Sequence, residues 1–168
     1  MRSRIVFTRR IAVIGSAAGL AAVLISAQWA IAAEPTEAFE VTHNDAKWRE
    51  LLTLDQYAVL RQSGTERPFT SALLHEQRRG NFACAGCDLD LFSSATKFES
   101  GTGWPSFWAP LENAVGTSKD TSFGMVRTAV HCRRCGGHLG HLFKDGPKPT
   151  GLRYCMNGVA MTFKAAAA

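Results

Sequence analysis

The stretch SFGMVRTAVHCRRCGGHLGHLF, Ser122 to Phe143, decides the fold. It holds two short runs, SFGMVRTAVHC and GHLGHLF, each mixing apolar and polar residues, joined by a tight Cys-Arg-Arg-Cys-Gly-Gly turn. Outward from it the same texture recurs in GNFACAG, DLFSSATKF, GWPSFWAPL and RYCMNGVAMTF, each broken by Gly, Pro, Ser or Asp. Short alternating runs punctuated in this way are strand and turn signals. They predict a mainly β domain of the α+β class, with an antiparallel sheet that is closed or sandwiched so as to bury its apolar face.

The turn inside the opening stretch has a counterpart. Cys84-Ala85-Gly86-Cys87 and Cys132-Arg133-Arg134-Cys135 are two C-x-x-C hooks with 44 residues between them. A two-residue spacer lets both sulfurs of a hook face one ion, and two hooks supply the four thiolates of a tetrahedral Zn²⁺ site. Gly86 and the Gly136-Gly137 pair give the backbone freedom such turns need. Two disulfides or a redox C-x-x-C are the alternatives. A redox hook usually opens a helix, and no helical pattern follows either pair. A four-sulfur site is closed to substrate, so the expected ion is structural.

Before Pro68 the texture is helical. Asp45 to Leu52 and Leu54 to Gln62 carry the pattern, with a Thr53/Gln56 capping-box signature and Gly64 placed to end the second helix. Trp48, Leu51, Leu52, Tyr57, Val59 and Leu60 supply the apolar faces. Residues 34–44 read as a linker. The tail at 165–168, all alanine, is expected to be disordered.

Residues 1–33 read as an export signal. Arg9 and Arg10 precede an uncharged run from Ile11 to Ala33 that closes on small residues, which suits a twin-arginine signal with a cleavage site. The expected location is therefore outside the cytoplasm, in the periplasm. The alternative is an uncleaved leader anchoring the chain to a membrane, since the run is long enough to span one. Four of the 19 basic residues lie in the leader, leaving 15 against 14 acids. A near-neutral domain offers no basic footprint for nucleic acid.

The fifth cysteine stands apart in GLRYCMNGVAMTF, Gly151 to Phe163. On a strand, Arg153, Cys155 and Asn157 share one face. A cation beside a thiol favours the thiolate, the nucleophilic form, and an amide can hold a polar substrate group. The other reading is a small buried core residue. His138 and His141 in GHLGH offer imidazoles able to donate a proton near neutral pH; the alternatives are zinc ligation, which four cysteines already satisfy, and a hydrogen-bonded core role for one of the two. Gly101 to Trp108, GTGWPSFW, is aromatic and glycine-rich, suiting a core or a pocket wall.

In order along the chain, the C-x-x-C pairs, SGTGWPSF, HLGH and RYCMN resemble the B-type methionine-R-sulfoxide reductases. So do TERPFT, LFSSATKFES, GMVRTAVHC and DGPKPTGLRYC, and the likeness runs from about Asp45 to Phe163. The resemblance implies two antiparallel β-sheets in a barrel- or tent-like domain at 45–164, short N-terminal helices and one structural Zn²⁺ on Cys84, Cys87, Cys132 and Cys135. It implies an oxidoreductase in which Cys155 attacks the sulfoxide sulfur. His141 and Asn157 would bind or protonate the oxygen, His138 and Arg153 would shape the polar side, and Trp104 would pack on the substrate methyl, with Phe107 as a further substrate contact. The implied substrate is methionine-R-sulfoxide, mainly in oxidised proteins and peptides, and the implied role is repair of oxidative damage.

One position departs from the pattern. Many relatives carry a resolving cysteine in SGCGWPSF, where this chain has Thr102. With four cysteines on zinc, no thiol remains for an internal disulfide, so a Cys155 sulfenic acid would need an external thiol, thioredoxin-like or small. Two rival readings are a zinc-dependent binding module, which has no use for Cys155, Asn157 and HLGH, and a disulfide-stapled domain. Sulfoxide reductase activity separates the first, and zinc content against thiol titration the second.

Overall fold

The computed structural model describes residues 38–167. The leader and the first part of the linker lie outside these residues. Among the described residues two short helices come first, α1 (Asp45–Leu51) and α2 (Leu54–Gln62). Asn44 caps α1 by accepting the Lys47 N–H, and Thr53 and Gln56 form the expected reciprocal capping box on α2. The left-handed residue ending α2 is Ser63 (φ 56°), one position ahead of Gly64. Trp48, Leu52, Tyr57, Val59 and Leu60 are buried, whereas Leu51 is 50% exposed and takes no part in the apolar face.

Nine strands follow within the described residues: β1 (Gly80–Cys84), β2 (Asp90–Ser93), β3 (Lys97–Phe98), β4 (Ser106–Phe107), β5 (Val115–Asp120), β6 (Arg127–Cys132), β7 (His138–Phe143), β8 (Arg153–Met156) and β9 (Met161–Ala165). They form two antiparallel sheets, β2-β1-β9 and β3-β4-β8-β7-β6-β5. Both sheets are open at their ends, so of the two expected shapes the tent holds and the closed barrel does not.

The sheets meet through aromatic rings. Phe107 of β4 stacks on Phe92 of β2 at 4.4 Å and meets Phe82 of β1 edge-on at 4.9 Å; Phe82 in turn packs on Phe163 of β9. Leu91, Val130, Leu139 and Met156 complete this core without exposure. Burial of each such side chain contributes roughly 1.5–3 kcal/mol. Helix α2 packs on β7 and on the short turn at Gly158–Ala160.

Two sequence expectations change at the chain's ends. The described part of the expected linker is docked: Val41 N–H donates to the Arg134 carbonyl at 3.0 Å, and the Phe39 ring meets His131 edge-on. Apolar side chains at 39 and 41 give this segment something to bury, which its polar neighbours concealed. The tail expected to be disordered also begins ordered, because Ala165 closes β9 against Gly80 and Ala166 N–H donates to the Arg79 carbonyl. Backbone pairing needs no particular side chain, so alanine serves. Among the described residues, no helix is long and apolar enough to cross a membrane.

Candidate active site

β8 is an interior strand of the six-stranded sheet, with β4 on one side and β7 on the other. Its register sets Cys155 opposite Ser106 on β4 and His141 on β7. The approach to β7 is close: a side chain at Gly140 would run into the Cys155 carbonyl oxygen. Glycine at 140 thus lets the cysteine strand and the histidine strand lie together.

Cys155 is partly exposed and opens into a cavity of about 120 Å³ lined by Thr65, Trp104, Arg127, Gly140, His141, Phe143 and Asn157. The expected juxtaposition of Cys155, His141, Asn157 and Trp104 is therefore present in one small space. Arg153 is largely buried and does not line it. Its guanidinium forms a bidentate pair with Asp145 at 2.9 and 2.8 Å and lies over the Phe143 ring. Asp145 chiefly, with Cys155 adding to it, holds Arg153 more firmly charged than an ordinary arginine.

His141 has a partner that the sequence did not disclose. Its Nε2 lies 2.8 Å from Asp120 Oδ2, at the end of β5. The same carboxylate accepts from the Ser122 N–H at 2.8 Å and from Arg127 at 2.6 Å. The Ser122 contacts first, then His141, hold Asp120 well below the usual carboxylate range. The contact fixes the His141 ring against an anion that is itself held by Ser122 and Arg127.

His138 differs. It is 8% exposed, its Nε2 has no hydrogen-bond partner, and its ring meets His141 edge-on at 5.3 Å. Burial lowers its pKa to about 4, so it stays neutral near pH 7, and it lacks the carboxylate contact that His141 makes.

Asn157 is 3% exposed, and its amide is already engaged. Oδ1 accepts the Glu66 N–H, and Nδ2 donates to the Leu139 carbonyl, both at 2.9 Å. At most one amide hydrogen is left for a ligand, so the residue positions the site as much as it contacts anything. Trp104 is fixed by its indole N–H, which donates to the Glu66 carbonyl at 3.1 Å.

Glu66 thus emerges as a hub. Its carboxylate also accepts the Gly158 and Val159 N–H groups at 2.5 and 3.0 Å, while burial pushes its own pKa up. TERPFT counted towards the resemblance, yet nothing in that segment assigned a role to its glutamate. Phe107 requires a correction. It is 0% exposed and packed between Phe82 and Phe92, so it supports the site from inside the core and offers no surface to a substrate.

The other four sulfurs gather elsewhere. The ligand atoms of Cys84, Cys87, Cys132 and Cys135 all lie within 4.8 Å of one another, with Cys84–Cys135 at 3.7 Å and Cys87–Cys132 at 3.4 Å. A tetrahedral ion with Zn–S bonds of about 2.3 Å sets its sulfurs roughly 3.8 Å apart, whereas a disulfide needs about 2.05 Å. The donor set fits a structural zinc.

Residues 52–165 match the SelR domain family. The chain belongs to this family. Among its SelR relatives, a protein of Leptospira interrogans is 53% identical over 127 residues, covering 75% of this chain and 97% of that one. A Pseudomonas putida protein is 56% identical over 119 residues (70% and 90%), and one of Methanosarcina barkeri is 53% identical over 125 (74% and 88%). All three are named peptide methionine sulfoxide reductase MsrB. As a SelR protein of this group, the chain is an oxidoreductase.

Proposed function

We propose that the chain reduces methionine-R-sulfoxide, chiefly in oxidised proteins, to methionine. The observation that carries the reading is the one thiol outside the four-sulfur cluster, opening into a cavity shared with an indole and a carboxylate-supported imidazole.

A sulfoxide is a weak electrophile until its oxygen is hydrogen-bonded or protonated, so an acid and a nucleophile must converge on it. In the proposed reaction the Cys155 thiolate attacks the sulfoxide sulfur while His141, backed by Asp120, protonates the oxygen. The remaining Asn157 amide hydrogen assists. The oxygen passes to the Cys155 sulfur, the S–O bond of the substrate breaks, and methionine leaves reduced by two electrons. Cys155, oxidised by two electrons, is left as a sulfenic acid. Trp104 takes the methyl group on the wall opposite the oxygen-binding groups, which is how such a pocket tells one epimer from the other.

Thr102 stands 3.7 Å from Cys155 Sγ, and threonine cannot resolve a sulfenic acid. An external thiol, thioredoxin-like or small, condenses with it to a mixed disulfide and water, and a second thiol releases Cys155. Zn²⁺ on Cys84, Cys87, Cys132 and Cys135 would supply structure and take no part in the reaction. The leader motif supports a site of action outside the cytoplasm, in the periplasm, where oxidised methionines would be repaired.

The test is an epimer-resolved assay with dithiothreitol. The wild-type chain is expected to consume the R epimer and spare the S, and Cys155→Ser is expected to be inactive. After one turnover without reductant, dimedone should label Cys155. Wild-type turnover by Cys155→Ser would overturn the reading.

A further inference from the structure

Behind Cys155 runs a chain of hydroxyls that the sulfoxide chemistry does not use. From Thr102 Oγ1, 3.7 Å from the Cys155 sulfur, it passes to Ser100 Oγ at 2.9 Å and on to Ser106 Oγ at 2.7 Å. It ends at the Trp104 carbonyl oxygen, 3.1 Å from Ser106 Oγ. The Thr102 N–H also points at Ser100 Oγ, at 3.4 Å, and Ser106 is fully buried. The backbone keeps these groups in place: Ser106 is the β4 partner of Cys155, and Gly103 (φ +94°) packs against Pro68 and Phe69 where no side chain would fit.

Each hydroxyl has one proton to give and lone pairs to accept with, so the direction of the chain can be counted out. A carbonyl only accepts. If Ser106 donates to the Trp104 carbonyl, Ser100 must donate to Ser106 and Thr102 to Ser100. Thr102 then accepts from Cys155 S–H, and this direction serves a thiol. A thiolate has no proton to give, and the same arrangement would turn oxygen lone pairs against a negative sulfur.

Rotating the three hydroxyls about their C–O bonds reverses the chain. Ser106 then donates to Ser100, Ser100 to Thr102, and Thr102 to the sulfur. The Ser106–Trp104 bond is given up for one to an anion, which is roughly twice as strong as a neutral bond. No O–H bond breaks, and the thiol proton leaves to water through the partly exposed side of Cys155.

We infer that Thr102 is a catalytic residue that stabilises the Cys155 thiolate through its hydroxyl, with Ser100 and Ser106 as positioning residues that let the donation reverse with the charge on sulfur. This rests on the reading of Cys155 as the nucleophile, but it concerns only that sulfur and needs no sulfoxide to be tested.

The experiment is alkylation of the zinc-loaded full chain by iodoacetamide at neutral pH, with Cys155 followed by peptide mass spectrometry and zinc content checked for each variant. Thr102→Val, which keeps the side-chain shape, is expected to slow Cys155 alkylation about ten-fold, the size of one hydrogen bond to a charged group. Thr102→Ser is expected to return the rate to within about two-fold, and Ser100→Ala to give an intermediate loss. If Thr102→Val does not hold zinc, Thr102→Ala takes its place under the same criteria. A wild-type rate without the hydroxyl, or no recovery with serine, would overturn the inference while leaving the reductase reading intact. An active Cys155→Ser enzyme would overturn the reductase reading whatever the alkylation rates.

Discussion

Asp120 closes β5 in a run, VGTSKD, that reads as an ordinary polar edge strand, and its part in the site depends on pairings far along the chain. Strand β5 pairs with β6 and β6 with β7, and these registers carry the carboxylate to His141 twenty-one residues later. Asp120→Asn is expected to keep the fold but lower kcat by about ten-fold or more, because His141 loses the anion that holds its ring and the proposed general-acid catalysis is worth about 10²–10⁴. Steady-state kinetics on a sulfoxide peptide, beside an unchanged unfolding midpoint, checks it. Cys155, His141, Asn157 and Trp104 were readable as candidates because each sits in a short motif, and they line one cavity. Asp120 was not, since its role lies in a tertiary contact with no signature of its own. Phe107 misled for the same reason: within an aromatic run, only the sheet decides which ring faces the core.

At the scale of elements, the site depends on one loop holding two others. Glu66 follows α2, and its backbone and carboxylate bind Trp104, Asn157 and the turn after β8. Removing the carboxylate leaves the Gly158 and Val159 N–H groups without their acceptor. Glu66→Ala is therefore expected to cost about 1–3 kcal/mol of stability and to reduce kcat/KM by more than the loss of folded enzyme explains. Urea unfolding beside activity per folded molecule measures both. The helices and strands themselves were readable from capping residues and from Gly, Pro and Ser punctuation. Their grouping into a three-stranded and a six-stranded sheet was not, because β1 pairs with β9 across nearly eighty residues and pairing at that range follows from core packing.

For the whole molecule, the two hooks join what the strand ladders leave as two sheets. Cys84 ends β1 in the smaller sheet and Cys132 ends β6 in the larger, so an ion held by all four sulfurs would staple the two sheets together. Removing it with a chelator under reducing conditions is expected to release about one zinc per chain and to lower stability by about 5 kcal/mol or more, as metal binding and folding are coupled. Metal analysis with calorimetry checks it; a chain that loses its zinc and keeps its melting temperature would show that the aromatic core alone holds the sheets. The hooks were the most legible feature of the sequence, since their spacing encodes the geometry directly. Less visible was the cover over the second hook. Phe39 lies against Gly136, and Val41 is bonded to Arg134, inside the hook itself. A recombinant version trimmed to Asp45 would retain every helix and strand among the described residues yet strip this lagging from the thiolates, exposing them to oxidants and competing chelators; trimming should stop at Ala38 or earlier.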